Sequence, residues 1–198
     1  DFSLSELMLL VDAVESCKSL TKRQSNALVT NLKLLASDSQ RALLERRIHV
    51  PGRILSKNDS VFGNIDLLHD AIRQHKQVEF KYYRYGVDGK RYATREGKPH
   101  EVTPVAITYE DEYYYLTAWN DKYENMIEFR VDRMDGLRLS DKKATSNDEI
   151  THYVFDGDEY KCFGRFRGEP LTVTLLVSAD KIEIIIDQFG DAVQIYKK

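Results

Sequence analysis

Residues 113–139 constrain this chain most, because apolar and polar residues alternate there with the period of a β-strand twice in succession. Tyr113, Tyr115, Thr117 and Trp119 alternate with Tyr114, Leu116 and Ala118; then Ile127, Phe129 and Val131 alternate with Glu128 and Arg130. Each strand therefore has two chemically distinct faces, one able to pack and one able to receive something. Arg130 points away from the apolar face of its own strand. Arg133 follows where that strand ends, just before the turn signal Asp135-Gly136. Rings with arginines directly behind them suit a polyanion that carries stackable bases.

Around this pair the pattern predicts helices first and strands after. A stripe of Leu7, Leu10, Val11 and Val14 marks a helix over residues 4–17, opened by Ser3 and Glu6 at capping-box spacing. A second helix begins near Thr21, with Gln24 completing another capping box, and buries Leu28, Leu32 and Leu35. A shorter third covers residues 39–47. Three helices so close together read as a bundle or a dimerisation arm, and the sequence favours neither. Residues 64–75 form a fourth helix with Ile65, Leu68, Ala71 and Ile72 inward. Strands are predicted at 78–85, 101–109, 113–119, 126–132 and 136–140, with turn chemistry at 86–89 and 110–112. Short strands joined by tight turns suit a small barrel, and spacing alone permits a Sm-like or an OB-like one.

The residues of the strand pair resemble the WYL domain of bacterial transcription regulators. The Trp-Tyr-Leu triplet of that family reads Tyr114-Tyr115-Leu116 here; Pro104 precedes it, Thr117-Ala118 follows it, and residues 129–134 resemble the family's arginine strand. Upstream, Ile72-Arg73 and residues 78–82 are similar to the helix and first strand that open these domains. Downstream, residues 163–190 resemble the start of the family's C-terminal extension. The resemblance implies an α+β chain in three parts: a helical linker or dimerisation arm over 1–62, a Sm/SH3-like five-stranded β-barrel over 63–141 that senses a ligand, and a partial α/β extension over 142–198. It also implies a missing N-terminal winged helix that would contact promoter DNA. The opening on Asp1 and the short C-terminal unit are expected of an excised fragment with an incomplete extension.

No run of residues approaches the ~18 apolar positions of a membrane span, and no charged-then-apolar leader opens the chain, so a cytoplasmic protein with no membrane partner is expected. Cys17 and Cys162 stand in no metal or redox spacing, which favours reduced thiols, with Cys17 in helix packing. The formal charge of −3 hides segregation: residues 73–100 hold eight Lys or Arg against three acids, whereas residues 101–140 hold four against nine. Binding responds to local potential, so the basic half of the barrel is the candidate surface. Its lysines 76, 81, 90 and 98 equally suit a solvated strand and loop. A second basic group, Arg41, Arg46, Arg47, Arg53 and Lys57, either assists DNA contact or complements a helix C-terminus.

No nucleophile elbow, P-loop or dinucleotide fingerprint occurs, and no histidine pairs with another His or Cys at ligand spacing. No enzyme activity, metal or cofactor is expected. Aromatic and cationic residues remain: Tyr82 and Tyr85 on the first strand, Arg91 in the following loop, Tyr113, Tyr115 and Trp119 on the third strand, and Arg130 and Arg133. These are the candidate ligand-binding residues. Each tyrosine taken singly also suits plain strand packing. The leading expectation is a homodimeric regulatory module that binds a single-stranded oligonucleotide or nucleotide-like effector. The alternative is an oligomerisation scaffold whose arginines pair internally.

Overall fold

In a computed structural model, residues 2–44, 56, 58–153, 172–190 and 193–196 are described. The chain divides into two compact units, Asp1–Tyr153 and Val154–Lys198.

The first unit opens with three helices, α1 (Leu4–Ser16), α2 (Lys22–Leu34) and α3 (Asp38–Leu44). Both capping boxes form: the Ser3 hydroxyl accepts from the Glu6 N–H, and Thr21 from the Gln24 N–H, with each N3 side chain reaching back to the cap. Leu7, Ala36 and Leu44 make a small core, with Leu4 and Met8 against it. Leu28 and Leu32 are half-buried, but Leu35 lies beyond the end of α2 and is 58% exposed, contrary to its expected burial. Past its last turn the chain leaves the helical periodicity on which that stripe depends. The basic cluster after α3 falls outside the described residues, apart from Arg41, which pairs with Asp38.

The arm is tied to the rest of the unit. Lys18 reaches Glu112 at 2.8 Å, Cys17 Sγ lies 3.6 Å from the Tyr109 hydroxyl, and the Ser56 N–H donates to the Lys18 and Leu20 carbonyls. Thr21 donates to Asp59, and the Asn58 amide donates to the Asp132 and Met134 carbonyls at 3.1 and 2.9 Å. The turn leading into α4 (Val61–Arg73) is thereby fixed beside the turn that carries Arg133.

Six strands follow: β1 (Lys76–Tyr85), β2 (Arg91–Ala93), β3 (His100–Glu110), β4 (Tyr113–Asn120), β5 (Asn125–Arg130) and β6 (Met134–Lys143). All pairings are antiparallel, in the order β2-β1-β3-β4-β5, with β6 on β1 as well. Five strands thus curl into a half-barrel, and β2 is a three-residue addition to the end of β1. Arg91, expected in a loop, belongs to that hairpin. Pro104 cannot donate to the ladder, and the β3–β4 register shifts between it and Ala106. Asp111 and Glu112 both take positive φ, the geometry of a two-residue hairpin turn whose twist matches the strands.

The core lies between α4 and the concave side of the sheet. Val61, Leu68 and Ala71 pack on Val78, Phe80, Val102, Leu116, Ala118, Phe129, Val131 and Met134, all almost fully buried. At ~25 cal/mol per Å2 of apolar area, each large side chain here contributes roughly 1.5–3 kcal/mol. In the second unit, of the expected α/β extension, α6 (Ile182–Phe189) is helical, whereas residues 172–178 and 193–196 carry no strand pairing. Near the end of the first unit a short α5 (Asp148–Thr151) is capped by the Asn147 side chain.

Candidate functional site

Arg130 ends β5 directly opposite Tyr115 of β4. Ile127 and Phe129 turn into the core, so Arg130 lies on the outer face, as alternation requires. Its guanidinium carbon stands 3.5 Å from the Tyr113 ring centroid, a stacked cation–π contact. It also grips Asp132 as a fork, Nε to Oδ1 at 3.0 Å and Nη2 to Oδ2 at 2.8 Å. Only 20% of the arginine side chain and 14% of the aspartate side chain remain exposed. Burial pulls the Arg130 pKa down, but the Asp132 hydrogen bonds and charge outweigh it, so the net shift is upward and the cation is secured.

The strand stops at Arg130 because residues 131–133 wind into a 3₁₀ turn, two residues earlier than alternation suggests. Val131 still faces the core, yet the turn redirects Arg133. The Nε of Arg133 is buried and has no hydrogen-bond partner among the described residues. A buried unpaired donor costs roughly 1–3 kcal/mol, more when charged, so this atom calls for an acceptor.

The other candidate residues divide. Tyr82 is in the core at 7% exposure, edge-on to Phe80, His100 and Phe129, and its hydroxyl accepts the Arg130 N–H at 3.0 Å. It supports Arg130 from beneath and offers no ring face to solvent. Trp119 is 6% exposed and Thr117 fully buried, so the outer face of β4 is filled at its far end. Tyr153 contributes to that cover, its hydroxyl 3.4 Å from the Thr117 Oγ1. Tyr113 and Tyr115 stay half-buried on the same face. Tyr85 and Arg91 pair across the β1–β2 hairpin, Tyr85 60% exposed and Arg91 stacked 3.9 Å over Tyr83. In sheet order β3 separates this group from Tyr113 and Arg130.

Beneath the sheet's open end, His100 stacks on Phe80 and hydrogen-bonds Thr94 through Nε2 at 2.9 Å. Burial, then the charges of Arg95 and Arg84, depress its pKa to about 4, so it is neutral near pH 7. Nothing in the local sequence marks His100 as part of an aromatic cluster. Its only signal is the alternation with Val102, which places it on the core side of β3.

Residues 63–139 match the family model of the WYL domain. Over that span the chain is similar to the WYL domain. β1–β5, the Arg130 strand among them, and the first part of β6 are inside the matched span, while α1–α3 and the second unit lie outside it. Among solved structures, the chain is similar to the proteasome accessory factor B/C (PafBC) of Arthrobacter aurescens at 15% identity and a TM-score of 0.38. That alignment covers 77% of this chain and 22% of the other, so this chain spans about a fifth of that protein's length. No curated protein matches the sequence.

Proposed function

We propose that this WYL domain is the ligand-sensing module of a DNA-binding transcription regulator, and that a single-stranded oligonucleotide or nucleotide-like anion binds beside Tyr113, Tyr115, Arg130 and Arg133. The observation that carries this reading is the buried, unpartnered Nε of Arg133, three residues from an arginine already stacked on a tyrosine. A phosphate oxygen would satisfy it as a charge-assisted acceptor. Arg130, held by Asp132, sets the geometry, and Arg133 supplies the uncommitted Nε donor. The role is binding rather than catalysis, in the cytoplasm, with promoter DNA contacted by a separate module. No helix among the described residues is long and apolar enough to cross a membrane.

The Arg130–Asp132 fork favours a second reading, a scaffold whose arginines are purely structural. Short single-stranded DNA titrated into the protein at low salt separates the two. The sensing reading expects binding that R133A weakens roughly ten- to hundredfold while the melting temperature holds; the scaffold reading expects no binding.

The arm is the proposed dimer contact. Leu9, Leu34, Leu35 and Leu43 are 56–70% exposed on α1–α3 and their connections, and twofold self-association is the commonest way to cover such a surface. Light scattering at tens of micromolar should return a dimer mass; a monomer there removes this part of the proposal.

A further inference from the structure

The outer side of β1 and β3 holds a cleft of about 370 Å3, at the small end of the ~300–1,000 Å3 typical of small-molecule sites. Gln77, Glu79, Glu101 and Lys142 line it from the sheet, and the loop with Arg95 and the turn with Lys122 and Tyr123 close its sides. Both walls are held in place. Asn120, 5% exposed, accepts the N–H groups of Lys122 and Tyr123 at 3.0 and 3.3 Å, and Arg95 donates to the Pro99 carbonyl at 2.9 Å.

The carboxylates of the cleft are already committed. Glu79 holds Arg138; Glu101 takes Lys142 at 2.6 Å and Ser140 at 3.0 Å; and Asp121 takes Gln77 and Thr145 at 2.7 Å each. The hydrogen bond from Lys142 holds Glu101 below the usual carboxylate range, and the same contact raises Lys142. Arg95 and Lys122 have no carboxylate partner among the described residues. Tyr123, beside them, keeps 60% of its surface exposed, with the Lys122 ammonium 5.2 Å from its ring centroid.

We infer that this cleft is a second ligand site, distinct from the Tyr113/Arg130 face, and that it takes a phosphate monoester carrying a planar ring, of mononucleotide size. Arg95, with Nη1 on the Pro99 carbonyl, has its Nε–Nη2 edge to match phosphate geometry, and Lys122 adds a point charge. Tyr123 offers the planar group a stacking surface. The floor pairs, Glu79 with Arg138 and Glu101 with Lys142, are charge-matched, while Asp121 keeps its negative charge behind two neutral donors and is offset by the cations Arg95 and Lys122 in the same lining.

Adenosine monophosphate titrated into the isotopically labelled 198-residue chain tests this by amide chemical shifts. The amides of residues 95–101 and 120–124 should move, less with ribose 5-phosphate and not with adenosine alone. R95Q and K122Q should each weaken binding at least about tenfold, as a lost charge-assisted contact requires. K90Q, the same charge change on the β1–β2 hairpin tip, should leave the affinity alone. Unaltered melting temperatures in all three variants tie the losses to contact rather than folding. Absence of shifts at millimolar nucleotide, shifts confined to residues 113–117 and 130–133, or equal losses in K90Q would each overturn the site. Binding of spermidine at these amides in place of the nucleotide would overturn the anion assignment. Oligonucleotide binding that R133A weakens and R95Q leaves intact would stand independently of all these outcomes.

Discussion

The Tyr113/Arg130 face and the cleft on β1 and β3 use the same residue types in opposite states. On the first, the conspicuous arginine is stacked, forked to Asp132 and four-fifths buried, while its neighbour Arg133 keeps a buried donor unmatched. In the second, Glu79 and Glu101 are matched by cations, Asp121 is held by neutral donors alone, and the cations at the sides have no carboxylate partner among the described residues. An arginine near a tyrosine therefore says little until its carboxylate partner is known. Desolvation makes the committed pair a structural element and leaves the uncommitted donor as the group able to select a ligand.

The largest effect should come from breaking the committed pair. R130A leaves the Asp132 carboxylate without its fork, and a loss of up to about 3 kcal/mol is expected, the low end for a buried pair because both side chains keep some exposure. Thermal melting of R130A, D132N and the double variant checks it: a double-mutant cycle with no coupling would erase the contrast drawn here.

Acid should destabilise through His100. Its folded pKa of about 4 lies below the ordinary value of 6.5, so between those values the unfolded chain binds more protons and stability falls as pH falls. Wild type should lose roughly 1–3 kcal/mol from this group between pH 6.5 and 4, taking ~1.4 kcal/mol per unit and discounting for partial exposure. H100Q should flatten that part of the curve, and parallel wild-type and variant profiles would contradict the assignment.

R133A should barely change melting, because it removes a buried donor that lacks a partner, yet oligonucleotide affinity should drop roughly ten- to hundredfold. The smallest effect belongs to the cover on β4. Y153F removes a long hydroxyl contact to Thr117 and should cost about 0.5–1 kcal/mol or less in urea unfolding.

Local signals carried most of the fold. Both capping boxes, the β4 and β5 alternation and the tight turns are short-range patterns, and each appears where the residues place it. The 3₁₀ turn at 131–133 was hidden because Val131 keeps the strand's apolar alternation while the backbone winds. Tyr82 and Trp119 could be placed on strands but not assigned an environment: burial of Tyr82 depends on curling of the sheet, and Trp119 lies on a face filled partly by a residue more than thirty positions away. The cleft had no sequence signature at all, since Gln77, Arg95, Lys122 and Lys142 come from four segments and meet only once the sheet has formed.

The most direct measurement is fluorescence anisotropy of a short labelled single-stranded DNA against wild type and R133A across a salt series. Counterion release predicts that log affinity falls linearly with log salt for wild type, and that R133A binds more weakly with a slope smaller by about 0.7, one phosphate contact. No binding by wild type at low salt, or coincident lines for the two proteins, would contradict the assignment of Arg133 as the ligand's anchor.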